Sequence, residues 1–529
     1  MPTLAPRRRL LKALAAAAAL PLSTAISAAE RGDLKTAAGA RSSESLHKLP
    51  RHALIIGNAA YRQAPLKNPL NDARAMADGL SRSGFQVAMH LDAGREEMQQ
   101  AIRRYGEAVA KDRAIGVFYF AGHGAQLAWR NFLLPVDAVI EKLEDLESRT
   151  VDLGLLLQGL GRADNPMNVV ILDACRDNPF GTGVAPQQRG LSQFDAPRSS
   201  LLAYATAPGN VAADGDGANG LYTEHLVREL AVPEAKIEDV FKRVRLNVRR
   251  GSQGRQIPWE STSLEEDFYF MPPAALGKPA EALAARLFDE ELALWERVKA
   301  STEPAPLETY LRRYPSGNFS ELAQLRLDQV LARAGEQRIR VVSSRQNPYS
   351  QGTSVADVQR KVGDSYTYRI TDLFTGLERR TLTETILEVT DTEVIFDSGR
   401  ITDLLGNNLR NRQGLRSTGQ QIWGLEYAVG KRWSSRSRDT GPKGNVTTTA
   451  VEVRVVGRET LKVAAGTFDP FKIEVSGWAV GEGVNFQISH TLWLQPDRIR
   501  SFVKLESTRR AGPKILEAAR QELVAYHQA

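Results

Sequence analysis

The feature that most restricts the fold is an alternation of short apolar runs with amphipathic helical segments across residues 52–272. Segment 71–83, for example, places Ala73, Met76 and Leu80 on one helical face. Because each helix joins one apolar run to the next, the runs are expected to form a mostly parallel sheet with flanking helices. The strands are expected over 53–57, 85–90, 115–121, 168–172 and 201–205, with 268–270 closing the sheet at one edge.

Two further regions follow this α/β domain in a chain of 529 residues, which is long enough for several cores. Residues 273–335 have only helical periodicity and predict a helical spacer. Part of it resembles a tetratricopeptide-like helix pair, although one pair is fewer than the about three repeats that such arrays need. Residues 340–529 alternate Thr, Val, Ile and aromatic residues between glycine turns, which predicts an antiparallel β-rich domain.

The first residues have the composition of a targeting segment. Three arginines precede an alanine-rich apolar run over 13–22, and small residues follow, which predicts a signal peptide at 1–28 and a linker at 29–50. The Arg-Arg-x-Leu-Leu-Lys pattern resembles a twin-arginine signal, although Pro6 stands where Ser or Thr is usual, and an ordinary secretory signal is the alternative. Either route predicts a periplasmic or extracellular protein of a bacterium. The run is too short to remain as a membrane span.

Charge and cysteine content exclude several classes of protein. Without residues 1–28, which contain four basic and no acidic residues, 65 basic residues face 62 acidic ones. Most of the excess of basic over acidic residues therefore lies in the predicted export signal. No Lys/Arg stripe indicates nucleic-acid binding. With 42% hydrophobic and 25% charged residues, the chain is neither disordered nor a polytopic membrane protein. Because Cys175 is the one cysteine, an intramolecular disulfide and a zinc site of several thiolates are both excluded.

Two of the predicted strands end in side chains that can carry out chemistry. The run 117–121 leads to His123, which lies between two glycines, and the run 169–172 leads to Cys175. Because successive parallel strands joined by a helix commonly lie side by side, the imidazole and the thiol are expected at one edge of the sheet. A thiolate is a nucleophile, and an adjacent histidine can remove its proton or stabilise its charge.

The backbone near these residues has a predicted role as well. The glycines beside His123 would let a substrate backbone approach, and the amides of Gly124 and Cys175 could hold a developing oxyanion. The alternative is that Cys175 is a buried, inert thiol, which is common for cysteine at a strand end.

The sequence motifs around His123 and Cys175 occur in a specific order and at a specific spacing. Tyr-Phe-Ala-Gly-His-Gly spans 119–124, Leu-Asp-Ala-Cys-Arg spans 172–176, and Ala-Leu-Ile-Ile-Gly-Asn opens the domain at 53–58. Asn-Asp-Ala at 71–73 and Gln-Ile-Pro-Trp at 256–259 accompany them. His123 precedes Cys175 by 52 residues, and about 50 is the caspase spacing. Residues 51–272 thus resemble the caspase-like cysteine peptidases of the metacaspase and paracaspase branch found in bacteria.

The resemblance implies a caspase-haemoglobinase sheet with flanking helices and assigns the catalytic roles. His123 would be the general base and Cys175 the nucleophile of peptide-bond hydrolysis through a thioester acyl-enzyme. The Gln-Ala-Cys-x-Gly pattern of animal caspases is not met, since Asp173 replaces Gln and Asp177 replaces the final glycine.

That departure bears on the substrate. In metacaspase-like enzymes an acidic residue two positions before the nucleophile lines the specificity pocket and pairs with Arg or Lys before the scissile bond. Asp173 matches it, and by the same resemblance Asp214, or less securely Asp216, supplies the second carboxylate. Cleavage after Arg or Lys is therefore expected. As alternatives, Asp173 could brace the loop after its strand, and 214–217 could be only a tight turn.

The resemblance also raises self-processing and calcium. The Gly- and Pro-rich loop 179–200 matches the segment that is cut in some relatives, and its basic residues Arg189 and Arg198 are candidate cleavage sites. No cofactor and no metal site are expected. Many metacaspases need calcium, but 214–225 lacks the ligand spacing of an EF-hand loop and no other site is identified, so calcium dependence stays open.

Two rival functions remain beside the exported endopeptidase, whose partners would be protein or peptide substrates with basic residues. In the first rival, the caspase-like domain is a silent scaffold and the β-rich domain binds an envelope partner. In the second, the peptidase cleaves after Asn or Asp, as other members of this fold do.

Overall fold

The structure is a computed structural model that describes residues 44–175, 191–207, 217–276, 279–336, 347–481 and 483–529. For Cys175 and Val484, only the backbone is described. The predicted signal peptide lies outside the described residues, as does the predicted linker up to residue 43.

The first domain is built on a sheet of the order β2-β1-β3-β6-β7-β8, in which the first five strands are parallel and β8 runs antiparallel to β7. Two short strands, β4 and β5, extend the sheet beyond β3. This confirms the expected α/β sheet. The strands are β1 (Arg51–Gly57), β2 (Gln86–Leu91), β3 (Ile115–Leu127), β4 (Arg130–Leu133), β5 (Val151–Asp152), β6 (Met167–Cys175), β7 (Ser200–Tyr204) and β8 (Trp259–Thr262).

Helices cover both faces of this sheet. They are α1 (Pro69–Arg82), α2 (Arg95–Asp112), α3 (Asp145–Arg149), α4 (Leu153–Arg162), α5 (Leu221–Leu230) and α6 (Ile237–Gly251). The apolar side chains of α1, α5 and α6 share one core with odd-numbered β3 residues such as Val117 and Tyr119. Those of α2 and α4 share the other core with Phe118 and Phe120. The two cores show that successive β3 side chains alternate between the faces of the sheet.

The predicted edge strand at 268–270 is wrong, and β8 takes that place. Phe268 and Phe270 are both buried in the same core and contact each other edge to face at 5.3 Å. The backbone of Tyr269 bridges to Lys236, which precedes α6, rather than to a strand of the sheet, so the segment packs over the face of the sheet. In β8, Trp259 and Ser261 are buried while their neighbours are partly exposed, which is the alternation of an edge strand.

Two strands run further than the apolar pattern predicted. β3 was expected to end at residue 121 but continues to Leu127, because β4 pairs with its last four residues. β6 was expected to end at residue 172 but continues to Cys175 alongside β3. The candidate site residues therefore lie within the sheet ladder.

The helical spacer consists of α7 (Glu281–Val298), α8 (Pro304–Arg313) and α9 (Ser320–Arg333). Trp295 stacks on Phe319 with ring centroids 5.6 Å apart. Its core is continuous with the C-terminal domain, since Ile386 and Phe396 belong to the same buried cluster. The spacer thus packs as part of the C-terminal half of the molecule.

The C-terminal domain is a closed antiparallel barrel of twelve strands, accompanied by two small two-stranded sheets. This confirms the predicted antiparallel β-rich domain. The barrel strands are β10 (Ser365–Asp372), β11 (Glu378–Val389), β12 (Glu393–Phe396), β13 (Ile401–Asp403), β14 (Asn408–Arg410), β15 (Arg416–Ser417), β17 (Arg432–Thr440), β18 (Val446–Arg458), β21 (Phe471–Gly481), β22 (Val484–Leu494), β23 (Phe502–Ala511) and β24 (Lys514–His527). The small sheets pair β9 (Thr353–Val355) with β16 (Glu426–Ala428), and β19 (Leu461–Val463) with β20 (Gly466–Phe468).

Among the described helices, none combines the length and the apolar character that crossing a membrane requires.

We predict that His490 makes the C-terminal domain sensitive to acid. Burial, with a smaller contribution from the Arg509 cation, lowers the pKa of His490 to about 4. Because the pKa of an unfolded histidine is about 6.5, the unfolded chain binds a proton between pH 6.5 and 4 that the folded chain does not bind. The free energy of unfolding should therefore decrease by up to about 3 kcal/mol as the pH falls through that window. His490→Leu should abolish this decrease.

The measurement is the free energy of urea unfolding at pH 7.5 and pH 4.5, followed by tryptophan fluorescence. An equal loss of stability in the wild type and in His490→Leu would contradict the assignment.

Candidate active site

The site begins with the register of β3 and β6. These parallel strands pair without a break from Ile115 opposite Met167 to His123 opposite Cys175. From Val117 opposite Val169 to Phe120 opposite Leu172, the paired residues are apolar and almost fully buried. The expectation that the two strands are neighbours is confirmed, and the backbones of His123 and Cys175 lie side by side at the carboxyl edge of the sheet.

The imidazole of His123 is oriented by a backbone carbonyl. Its Nε2 lies 2.7 Å from the carbonyl oxygen of Ala64, and His123 is buried with 2% exposure. Since a carbonyl oxygen only accepts, Nε2 must carry the hydrogen, and Nδ1 is then the basic nitrogen of the neutral ring. Ala64 has φ 51°, a left-handed conformation that is strained for alanine. In this conformation the Ala64 carbonyl lies within hydrogen-bond distance of the ring.

Tyr61 holds His123 from the side. Its hydroxyl accepts the backbone N–H of His123 at 2.9 Å and donates to the carbonyl oxygen of Leu134 at 3.0 Å. The two rings contact each other with centroids 4.5 Å apart. Both the backbone and the ring of His123 are therefore fixed by one buried tyrosine.

The glycines beside His123 have separate reasons to be glycine. Gly122 has φ 156°, and a Cβ there would lie 2.5 Å from the Tyr61 hydroxyl oxygen, so a side chain would displace the group that holds His123. At Gly124 a Cβ would lie 3.0 Å from Cδ2 of Leu191 and 3.1 Å from Cβ of Ala174.

The amide of Gly124 points toward the side where β6 lies. The carbonyl oxygen of His123 accepts the N–H of Leu134, which follows β4, at 3.0 Å. In a planar trans peptide the C=O of one residue and the N–H of the next point in opposite directions. Because β4 occupies one side of β3, the N–H of Gly124 faces the other side, where Cys175 lies.

Asp173 lies two residues before Cys175, opposite Ala121 in the ladder. Its Oδ2 accepts the hydroxyl of Thr223 at 2.6 Å, and the Thr223 oxygen in turn accepts the hydroxyl of Tyr119 at 2.6 Å. The side chain of Asp173 is partly exposed. Two hydroxyls thus orient a carboxylate beside the strand end.

A second carboxylate, Asp72 of α1, lies near this group. Its Oδ1 accepts the side-chain amide of Asn219 and the backbone N–H of Gly220, both at 2.9 Å. Burial raises the pKa of the Tyr119 hydroxyl well above its usual value, and the charges of Asp173 and Asp72 add to this effect. Asp173 and Asp72 therefore make the surroundings of Tyr119 negative, and its hydroxyl stays protonated and acts as a hydrogen-bond donor.

Several predicted residues fall elsewhere. Asp214, Asp216 and Arg189 lie outside the described residues, so the second pocket carboxylate and one cleavage site stay predictions. Arg198 lies in the turn before β7, where its side chain is 84% exposed and 3.2 Å from Glu265. Within the described ranges, no three His, Cys, Asp or Glu side chains are grouped as a metal site would need, and the calcium question stays open.

Five residues around the site had no role predicted from the sequence: Tyr61, Ala64, Asp72, Tyr119 and Thr223. A signal existed for Asp72, because it shares the buried face of α1 with Ala73, Met76 and Leu80. A carboxylate on an apolar helix face needs a polar partner. For Ala64 and Thr223 no local pattern pointed to the site.

Part of the chain is similar to known proteins. Residues 50–269 match the family model described as the caspase domain. Human mucosa-associated lymphoid tissue lymphoma translocation protein 1 is 26% identical over 215 residues, which is 39% of this chain and 25% of that protein. Its mouse homolog is 28% identical over 244 residues, which is 44% of this chain and 28% of that protein. The matches thus span about a quarter of those relatives, and they support a caspase-like cysteine peptidase.

Proposed function

We propose that this chain, of which residues 50–269 match the caspase-domain model, is a cysteine endopeptidase that hydrolyses peptide bonds after Arg or Lys. The observation that supports the proposal most strongly is the ladder of β3 and β6, in which His123 is paired with Cys175.

In the proposed reaction, Nδ1 of His123 takes the proton of the Cys175 thiol, and the thiolate attacks the scissile carbonyl carbon. The proposed donors to the oxyanion are the N–H groups of Gly124 and Cys175, which the ladder pairs with backbone carbonyls and which must leave that pairing to bind the oxyanion. The tetrahedral intermediate collapses to a thioester, and the imidazolium gives its proton to the leaving amine. A water molecule, deprotonated by His123, then hydrolyses the thioester and releases the carboxylate product and the thiol.

The contact between His123 and Ala64 suits this role. The carbonyl of Ala64 accepts from Nε2 in both the neutral ring and the imidazolium, so the bond persists while Nδ1 gains and loses its proton. A carbonyl oxygen also stabilises the positive charge that develops on the ring. The ring therefore needs no reorientation during the cycle.

The specificity follows from Asp173 in this proposal. A partly exposed carboxylate, oriented by Thr223 and Tyr119, is suited to a guanidinium or ammonium group. Such charge-assisted hydrogen bonds contribute about 1.5 to 3 kcal/mol each. Asp214 or Asp216 would add a second carboxylate, and buried Asp72 adds negative charge behind the first.

Hydrolysis of fluorogenic peptides ending in Arg, Lys, Asp or Asn, with and without calcium, tests this function. We expect turnover after Arg or Lys that Cys175→Ala abolishes. Asp173→Asn should lower kcat/KM for the Arg peptide by about 100-fold, because a charged contact in the pocket is lost. Asp164→Asn is the matched control, since Asp164 is exposed and lies before the opposite end of β6.

The outcomes separate the rivals. Turnover after Asp or Asn would keep the nucleophile but contradict the acidic pocket. Absence of turnover with every peptide would favour the silent scaffold. Mass spectrometry of the protein after these incubations would detect self-cleavage after Arg189 or Arg198. Cys175→Ala should prevent this cleavage.

We also propose that residues 1–28 direct export to the cell envelope of a bacterium, where the C-terminal domain binds a partner. Replacing Arg7 and Arg8 by lysine should leave the uncut precursor in the cytoplasm, because twin-arginine export requires the arginine pair. Fractionation followed by immunoblotting would show this. Unchanged export would indicate the general secretory route, and a wild-type chain that keeps residues 1–28 in the cytoplasm would contradict export.

A further inference from the structure

Residues 191–196, which we call the strap, lie between the caspase domain and the start of the C-terminal domain. They are buried or partly buried, although they belong to neither sheet. The strap leads into β7 and contacts the candidate site on one side. On its other side it contacts residues 347–353, which we call the clamp, and the clamp opens the C-terminal domain.

On the caspase side, the strap supports the strand ends that carry the site. Leu191 is fully buried, and it packs against Gly124 in the core that also contains Ala174. The side-chain amide of Asn131, in β4, brackets Ser192: its oxygen accepts the Ser192 N–H at 2.7 Å, and its nitrogen donates to the Ser192 carbonyl at 2.8 Å.

The support comes from the face opposite the imidazole. Leu191 shares its core with the even-numbered β3 residues Phe118 and Phe120. The alternation of the strand puts His123 with Tyr119, on the other face. The strap therefore packs against the face of β3 opposite the imidazole.

On the other side, the clamp holds the strap through polar contacts with two of its residues. The amide nitrogen of Asn347 donates to the Gln193 carbonyl, and the Gln193 side chain donates to the Thr353 hydroxyl, both at 2.8 Å. Asp195 donates its N–H to the Tyr349 carbonyl at 2.6 Å and accepts the N–H of Gly352 at 2.6 Å.

An aromatic contact completes the junction. The rings of Phe194 and Tyr349 lie 4.8 Å apart, and Phe194 belongs to the same core as Leu191. Since the strap has hydrogen-bond partners in both domains, its position depends on both.

We propose that the clamp positions the active site: by holding the strap, the C-terminal domain fixes Gly124 and Ala174, and through them the pairing of His123 with Cys175. The significance of this positioning for catalysis rests on the proposed peptidase function. The C-terminal domain then completes the enzyme, and residues such as Asn347 and Thr353 are positioning residues.

The test uses the full-length chain and a pair of substitutions at one position. Thr353→Val removes the hydroxyl that accepts from Gln193 but keeps the shape, and Thr353→Ser keeps the hydroxyl. Asn347→Asp removes the donor to the Gln193 carbonyl and serves as a second, independent variant. Thr383→Val is the matched control, because it removes an exposed barrel hydroxyl that bonds only within the barrel, to Thr367 at 2.9 Å.

Two measurements are made. Hydrogen exchange of the peptide spanning 117–127 reports the mobility of the β3 end, and we expect it to accelerate by about 5-fold in Thr353→Val and Asn347→Asp. For the Arg peptide, kcat should fall by about 10-fold with little change in KM, because the reacting groups lose their alignment while the pocket remains. Thr353→Ser and Thr383→Val should match the wild type in both measurements.

The proposal is overturned if exchange of 117–127 is unchanged in both variants, or if exchange accelerates while kcat stays at the wild-type value. Should the wild type cleave none of the peptides, the peptidase function fails by itself, and the exchange result alone decides whether the clamp controls the strand end. A urea unfolding midpoint close to that of the wild type shows that each variant is folded.

Discussion

The parallel pairing of β3 with β6 is the constraint on which the rest of the structure depends. Both strands are central and are covered by helices on both faces, and side chains such as Val117, Phe118 and Ile171 are fully buried. Full burial of such a side chain contributes roughly 1.5 to 3 kcal/mol, so a slip of the ladder by one residue would move each of them to the wrong core. The same pairing sets His123 opposite Cys175. The same register of β3 and β6 is therefore required for core packing and for the geometry of the candidate site.

The remaining parts of the site are brought to this edge by segments that lie far apart in the sequence. The loop after β1 supplies the Tyr61 hydroxyl and the Ala64 carbonyl, which hold the imidazole. The first turn of α1 supplies Asp72, and α5 supplies Thr223, which orients Asp173. The strap adds support from the C-terminal half of the chain. Each segment contributes a hydrogen bond or an apolar contact that keeps a strand end in place.

The sequence alone predicted the parallel sheet, the neighbouring strand ends and the β-rich C-terminal domain, because these follow from hydrophobic periodicity. It did not predict that β3 and β6 continue through His123 and Cys175, since glycine and polar residues there interrupt the apolar pattern. It placed the edge strand at 268–270, because two phenylalanines two apart are typical of a strand as well as of a packed loop. The contact of Ala64 with His123 depends on a left-handed backbone at a residue that rarely adopts one.

In the proposed function, His123 and Cys175 form a working dyad beside an acidic pocket. The most direct test is covalent capture with a peptidyl-Arg acyloxymethyl ketone, followed by mass spectrometry of the digested protein. We expect one adduct, on Cys175, that forms much more slowly in His123→Ala and with the matching peptidyl-Asp reagent. Labelling at the same rate in His123→Ala, or equal labelling by both reagents, would contradict it.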